Sequence, residues 1–270
     1  MNATPVLMFL TLLISLLIGF PISFGLAFIS ISFAVTLWGL PGINLLISSA
    51  WGTMNNFTLM AVPLFVFMAI LLEKTGIVSD LYDTFYKWSG GIRGGLAVAT
   101  ILVGTIIGAV SGVVAAGVIG LGVIALPQMR KYKYDKLITL GSITAGGTLG
   151  QVVPPSLNMV VYGAVAGVSV GKLFTGGLSI GIFLAFAYIM YILIRSFINK
   201  DLCPALPKED RATFKQKLIS LRNILIPGIL IILVLGSILA GATTPTEGAG
   251  LGCFGALLYG LFSKRLKFDM

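Results

Sequence analysis

The chain has 270 residues, of which 57% are hydrophobic and only 10% charged; an ordinary soluble domain carries about 25% charge. Eighteen Lys and Arg against nine Asp and Glu give a net charge of +9. The cations fall in loops between apolar runs and do not interleave with aromatic residues. The excess therefore reads as positive-inside loop charge and no nucleic-acid partner is expected.

No charged residue occurs from Met1 to Leu72, and further charge-free runs cover 94–129, 137–171, 173–194 and 223–246. A spanning helix needs roughly 20 mostly apolar residues, so the chain reads as an all-α polytopic protein of the lipid bilayer. The runs do not alternate as membrane β-strands would. Histidine is absent, which removes the commonest proton-transfer group. Cys203 and Cys253 form no CxxC pair and are read as unpaired. The first apolar stretch lacks a basic leading segment and is too long for a cleavable signal peptide.

Thr4-Pro5 is a helix start, with the threonine as cap and the proline at the first helical position. The apolar run Pro5–Trp38 would be about 51 Å long as one helix, too long for an upright span. Gly19-Phe20-Pro21 lies inside it, so the segment is either kinked or broken in two, which leaves the side of the N-terminus open. Pro41-Gly42 is a turn, Ile43–Trp51 an interfacial stretch and Phe57–Leu72 a short span. From Glu73 to Arg93 charges appear, and Ile77, Leu81, Phe85 and Trp88 recur at helical spacing, which predicts an amphipathic surface helix.

Three basic clusters follow: Arg130, Lys131, Lys133 and Lys136; the loop from Arg195 to Arg222; and Lys264, Arg265 and Lys267. All three are assigned to the cytoplasmic side. Two crossings fit between the second and third, turning near Gly241. Two more fit between the first and second, turning near Gly167–Lys172. The crossing over 137–167 is interrupted by Gly146-Gly147-Thr148-Leu149-Gly150 and by Pro154-Pro155-Ser156; two consecutive prolines cannot continue a helix ladder. This predicts a broken helix. The stretch 94–127 is either one long Gly-rich crossing or, the favoured reading, a re-entrant hairpin that reverses at Gly108-Ala109-Val110-Ser111-Gly112.

Unwound backbone at membrane depth is tolerated only inside protein or around a water-filled cavity. There its carbonyls can coordinate a cation, and half-helix N-termini can face an anion. Ser111 and Thr148 are candidate Na⁺ ligands, or bond their own helix backbone. Gln151 and Asn158 either contact substrate or join helices. Glu247 is read first as the third helical residue of a capping box opened by Thr244, and second as an intramembrane ion or proton site. An intramembrane enzyme is disfavoured, since paired carboxylates and an activated nucleophile are both lacking.

Ala61-Val62-Pro63-Leu64-Phe65-Val66-Phe67-Met68, Gly94-Gly95-Leu96-Ala97, the 108–112 tip, Pro127-Gln128-Met129, Gly146–Gly150, Pro154–Ser156, Gly167–Phe174 and Thr244–Glu247 occur in that order. Together they resemble the large membrane subunit of tripartite ATP-independent periplasmic (TRAP) transporters. The resemblance implies an elevator-type, Na⁺-coupled permease in the bacterial inner membrane. It implies a periplasmic substrate-binding protein and a small membrane subunit as partners, a carboxylate such as a dicarboxylate as substrate, and no cofactor beyond the coupling ion. It places ion binding in the region of Ser111-Gly112 and Gly146-Gly147-Thr148, with Na⁺ near Ser111, Gly147 and Thr148. Pro154, Pro155 and Ser156, either a structural kink or, the favoured reading, part of the site, complete the candidate ion- and substrate-binding residues.

The implied units are an N-terminal scaffold with arm helix (1–93), a transport unit (94–194), a basic loop (195–222) and two further spans (223–270). Within the transport unit lie the hairpin 94–128, the broken helix 137–167 and the span 173–194. Many members carry Ser-Gly-Ser-Ser at the tip and an Asp shortly after. Here the tip reads Ser111-Gly112-Val113-Val114 with Gly117 at the Asp position, closer to the branch labelled mannitol/chloroaromatic. Members also have an inverted second half. One hairpin and one Pro-Pro break are found here, as expected for a fragment, a truncated product or one piece of a split subunit. The chain is read as supplying the first half-site of the permease, or alternatively as an assembly or scaffold piece inactive alone.

Overall fold

The structure, a computed structural model, describes residues 3–112, 114–263 and 265. Val113 and the side chain of Ser111, both in the predicted tip, lie outside the described residues. The regular secondary structure of the described residues is all helical, with no strand. They form two compact units, residues 1–56 and 57–270.

In the first unit, α1 (Thr4–Leu17) and α2 (Ile22–Trp38) are separate helices. Gly19 has φ +90° between them and Pro21 precedes the first turn of α2, which settles the long N-terminal run as two pieces. Thr4 does not cap α1. Ala3 before it is already helical (φ −66°, ψ −15°), and no side-chain cap bond forms; a cap needs an extended backbone. α3 (Pro41–Met54) packs back on α2, with Gly42 against the Ala34 carbonyl.

The second unit opens with a 3₁₀ turn, Phe57–Met60, and α4 (Ala61–Lys74), followed by α5 (Ile77–Ser89). Then come α6 (Gly95–Ser111), α7 (Val114–Lys131), α8 (Lys136–Thr148), α9 (Leu157–Ala166) and α10 (Val170–Ile198). The short α11 (Phe214–Ser220) leads to α12 (Arg222–Leu239) and α13 (Pro245–Phe262). Among the described residues, Phe57–Lys74 and Val170–Ile198 are long and apolar enough to cross a membrane by themselves. On α10, Ile180, Phe183, Phe186 and Phe197 are exposed. Such an apolar surface marks contact with lipid or protein rather than water.

α4 packs on α13 around Phe65, Met68, Ala249, Cys253 and Ala256, with Phe174, Val234 and Leu235 closing the core. Two polar contacts fix the register: Thr246 Oγ1 donates to the Phe57 carbonyl at 3.0 Å and Cys253 Sγ to the Leu64 carbonyl at 2.9 Å. Gly241 (φ +71°) turns the chain between α12 and α13, where the sequence placed the turn.

α5 buries Ile77, Leu81, Tyr82, Thr84 and Ser89. Trp88 faces outward, and its indole N–H donates to the Lys217 carbonyl at 3.1 Å; the apolar stripe thus runs through Tyr82 rather than Trp88. All three basic clusters reach this helix. Tyr86 Oη lies 2.9 Å from Tyr132 Oη, Thr84 Oγ1 donates to the Ser220 carbonyl at 3.0 Å, and Arg265 pairs with Asp80.

Candidate functional site

α6 and α7 fold back on each other. The reversal is at Gly112 (φ +60°), whose N–H donates to the Gly108 carbonyl at 2.9 Å. A left-handed conformation is costly for a residue with a β-carbon, so glycine belongs here. At the other end the two feet meet: the Leu96 N–H donates to Tyr134 Oη at 3.3 Å, and Leu96 shares a core with Met129 and Tyr134. The arms have 17 and 18 residues, about 26 Å each, longer than half-membrane arms. Pro127 lies inside α7 and does not end it; the helix continues to Lys131. So close to a helix end, the missing amide removes one bond and a break is not forced.

The feet of this hairpin are strapped by the 195–222 loop. Gly94 N–H donates to the Cys203 carbonyl at 3.1 Å, Asp135 N–H to Leu202 at 2.8 Å, and Leu206 N–H to Gly90 at 2.9 Å. The first two basic clusters therefore lie at one end of the unit.

α8 begins at Asp135, whose carboxylate accepts from the Leu137 and Ile138 N–H groups. It stops at Thr148, where a 3₁₀ turn (Leu149–Gln151) takes over, and irregular backbone through Pro154 and Pro155 follows. The Pro154–Pro155 peptide is cis and both prolines are buried. The predicted interruption is thus found, flanked by α8 and α9. Ser156 is fully buried and its Oγ donates to the Gln151 carbonyl at 2.7 Å, closing the loop around the prolines. The same hydroxyl makes no cap bond to α9.

Hairpin and break touch. A β-carbon on Gly112 would lie 3.2 Å from the Pro155 carbonyl oxygen, Leu157 N and Leu157 Cγ. Along the arms, glycines of α6 meet glycines of α8 and of the 3₁₀ turn that follows it. A β-carbon on Gly104 would lie 2.6 Å from the Gly146 carbonyl, and one on Gly150 would lie 2.6 Å from Gly108 Cα. Gly117 of α7 approaches Gly147: a β-carbon there would be 3.2 Å from the Gly147 oxygen. On the far side of the break, a β-carbon on Gly177 of α10 would meet the Val152 carbonyl at 2.7 Å.

The predicted residues thus fall along one seam between the hairpin and the broken helix: Gly112 meets Pro155 at the break, which also holds Pro154 and Ser156, while Gly146 and Gly147 lie farther down the arms against Gly104 and Gly117. Thr148 is exposed at its edge, and its Oγ1 donates to the Ala145 carbonyl at 3.0 Å. Gln151 and Asn158 flank the break and are exposed. Glu247 belongs to a different element. It closes a capping box in α13, accepting from Thr244 N–H at 2.7 Å and Thr244 Oγ1 at 2.9 Å, while its own N–H donates to Thr244 Oγ1.

Gly104, Gly108, Gly150 and Gly177 were missed as site residues. A signal for them exists: 104/108, 146/150 and 177/181 are each a GxxxG spacing, which lets helix backbones approach closely. The small residues that the sequence offered as alternatives, tight reversal or close packing, serve both purposes. Chemically the seam presents backbone oxygens and a hydroxyl, hard donors suited to a cation such as Na⁺, beside an α9 N-terminus that lacks a side-chain cap.

Comparison with known proteins identifies the family. The family model described as "Tripartite ATP-independent periplasmic transporter, DctM component" matches residues 9–270. The chain is 35% identical over 213 residues to the C4-dicarboxylate TRAP transporter large permease protein DctM of Pseudomonas aeruginosa, covering 79% of this chain and 49% of that protein. It is 30% identical over 261 residues to the ectoine/5-hydroxyectoine TRAP permease UehC of Ruegeria pomeroyi, covering 96% of this chain and 59% of the relative. It is 31% identical over 242 residues to the sialic acid TRAP permease SiaM of Vibrio cholerae, covering 90% and 55%. The chain thus spans about half the length of these curated relatives. It belongs to the DctM-component family of tripartite ATP-independent periplasmic transporters and is a multi-pass protein of the inner membrane.

Proposed function

We propose that the chain is permease machinery of a Na⁺-coupled, binding-protein-dependent TRAP transporter that imports a carboxylate or a related organic anion. The observation that carries this reading is the approach of the left-handed turn at Gly112 to the unwound Pro154–Ser156 backbone. In this reading the α6–α7 hairpin is re-entrant. Both feet stand on the cytoplasmic side, and arms of about 26 Å take the tip past the middle of a core about 30 Å thick. The end of α8 (Gly146, Gly147, Thr148) and Ser111 would supply oxygen ligands to Na⁺, the coupling ion and the one ion invoked. The start of α9 would face the substrate anion through its N–H groups. Thr148 Oγ1 uses its proton within its own helix, which leaves the oxygen lone pairs for a cation.

Transport would proceed by alternating access, the hairpin and broken helix moving against a scaffold of early and late helices. A small membrane subunit and a periplasmic binding protein complete the assembly. The relatives' names give C4-dicarboxylates, ectoines and sialic acid as their cargo. Gly117 supports the mannitol/chloroaromatic-type branch: with its backbone against Gly147, the carboxylate that many members carry there has no room without a shift of α8, and coordination falls to carbonyls.

Uptake of a labelled C4-dicarboxylate into proteoliposomes holding the chain, a small subunit and a binding protein tests the reading. Uptake that follows an inward Na⁺ gradient is expected. Uptake indifferent to Na⁺ overturns the coupling. Uptake that appears only when a polypeptide with a second hairpin is added assigns this chain a half-site or assembly role.

A further inference from the structure

A cavity of about 530 Å³ opens between α6, α8 and α10, away from the Gly112–Pro155 contact. Its walls include Ile138, Gly141 and Ala145 of α8, with Tyr191 of α10. Two opposite charges line it, Asp135 at the start of α8 and Arg195 in the last turn of α10. They do not pair with each other: the ion pairs among the described residues are Lys87–Asp83 and Arg265–Asp80. Asp135 Oδ1 is committed to the Leu137 and Ile138 N–H groups at 2.9 and 3.1 Å.

From Asp135 to Ala145 the helix rises about 15 Å, half of a hydrocarbon core about 30 Å thick, which is the depth of one leaflet. The charged end belongs to the cytoplasmic basic clusters, and Tyr188 and Tyr191 stand beside it, as aromatic residues do at a membrane interface. Leu137 at the mouth is 81% exposed.

We propose that this cavity binds one phospholipid of the cytoplasmic leaflet whose headgroup carries both a phosphate and a primary ammonium, that is, a phosphatidylethanolamine. The phosphate accepts from the Arg195 guanidinium, the ammonium donates to the Asp135 carboxylate, and an acyl chain lies along Gly141 and Ala145. A purely anionic headgroup satisfies Arg195 but meets the Asp135 carboxylate as a like charge. An acid and a base that line one cavity without pairing with each other are what select the zwitterion.

The test uses the whole chain, equilibrated with vesicles of phosphatidylethanolamine or phosphatidylglycerol, with retained lipid counted by native mass spectrometry. The wild type should retain phosphatidylethanolamine about tenfold better, the scale of one charge-assisted hydrogen bond. Arg195→Gln should lower retention of both lipids by about the same factor. Asp135→Asn keeps a good helix cap and should bring the two lipids level. Gly141→Leu, at a position where a β-carbon meets no atom within 4 Å, should fill the groove and remove one lipid per chain with unchanged helicity. Equal retention of both lipids by the wild type overturns the proposal. So does a preference untouched by Arg195→Gln and Asp135→Asn, or an unchanged lipid count in Gly141→Leu, the result expected if a protein segment covers the groove instead.

Discussion

Gly108 and Gly150 touch backbone to backbone: a β-carbon on Gly150 would stand 2.6 Å from Gly108 Cα. Gly104 and Gly146 repeat the contact one turn away, and the two pairs hold α6 against α8 and the 3₁₀ turn that leads into the break. Neither backbone can give without moving its helix. Gly150→Ala and Gly104→Ala should each destabilise the protein by about 1–3 kcal/mol, the usual cost of overpacking. Gly122→Ala and Gly141→Ala lie in α7 and α8 with open space at the β-carbon. They should be neutral or stabilising by up to about 1 kcal/mol from helix propensity. Thermal unfolding in one detergent checks the contrast; four equal shifts would refute the close-packing account.

Ser156 ties the irregular loop across the prolines, from its Oγ to the Gln151 carbonyl at 2.7 Å. Its side chain is fully buried, so no water replaces the lost partner cheaply. Ser156→Ala should cost about 1 kcal/mol and leave membrane insertion intact. Ser156→Thr keeps the hydroxyl but adds a methyl group in a closed space, so it should restore the bond only in part. Hydrogen–deuterium exchange at residues 149–157 reads this directly: faster exchange in Ser156→Ala is expected, and unchanged exchange there would show that the bond does not hold the loop.

Much of this architecture is legible in the sequence because it rests on local signals. Two adjacent prolines cannot continue a helix, so the gap between α8 and α9 follows from Pro154-Pro155 alone. Pro245 after Thr244 with Glu247 two further on spells a capping box, and one is found. The reversal at Gly112 was one of two open readings, since small residues permit either a turn or close packing. The missed pieces depend on long-range partners. Trp88 continues the apolar spacing of α5 but points outward, because the Lys217 carbonyl, 129 residues away, accepts its N–H. Thr4 reads as a cap, yet Ala3 joins the helix and takes the cap position. Which GxxxG faces which is likewise invisible until α6, α8 and α10 are assembled.

Glu247 separates two roles that a transport measurement can tell apart. As a cap, its carboxylate accepts from the Thr244 N–H and hydroxyl, a task that Gln performs nearly as well. Glu247→Gln should therefore leave stability and Na⁺-dependent uptake within twofold of wild type, roughly the scatter of a neutral surface change. Thr244→Ala should cost about 1 kcal/mol. Loss of Na⁺ dependence in Glu247→Gln with normal stability would instead make the carboxylate an ion ligand.

Cys203 offers a check on the loop that straps the hairpin feet. Its thiol is fully buried among the residues around Leu96 and Tyr134, and burial pushes its pKa up, against a partly offsetting hydrogen bond with Ser196. A raised pKa favours the neutral thiol, so at pH 8.5, where a free cysteine is about half thiolate, Cys203 should hold less thiolate than that. Maleimide should label it slowly in the folded protein, with a rate that keeps climbing above pH 9, and rapidly after unfolding. Since the Cys203 carbonyl also accepts from Gly94 N–H at 3.1 Å, any variant that loosens the strap should raise the labelling rate. Tyr132→Phe, which removes the hydroxyl that reaches Asp210 at 3.0 Å, is the mildest such change. Fast labelling of the untouched protein at pH 7 would mean that the 199–211 segment does not stay closed over the feet of α6 and α7.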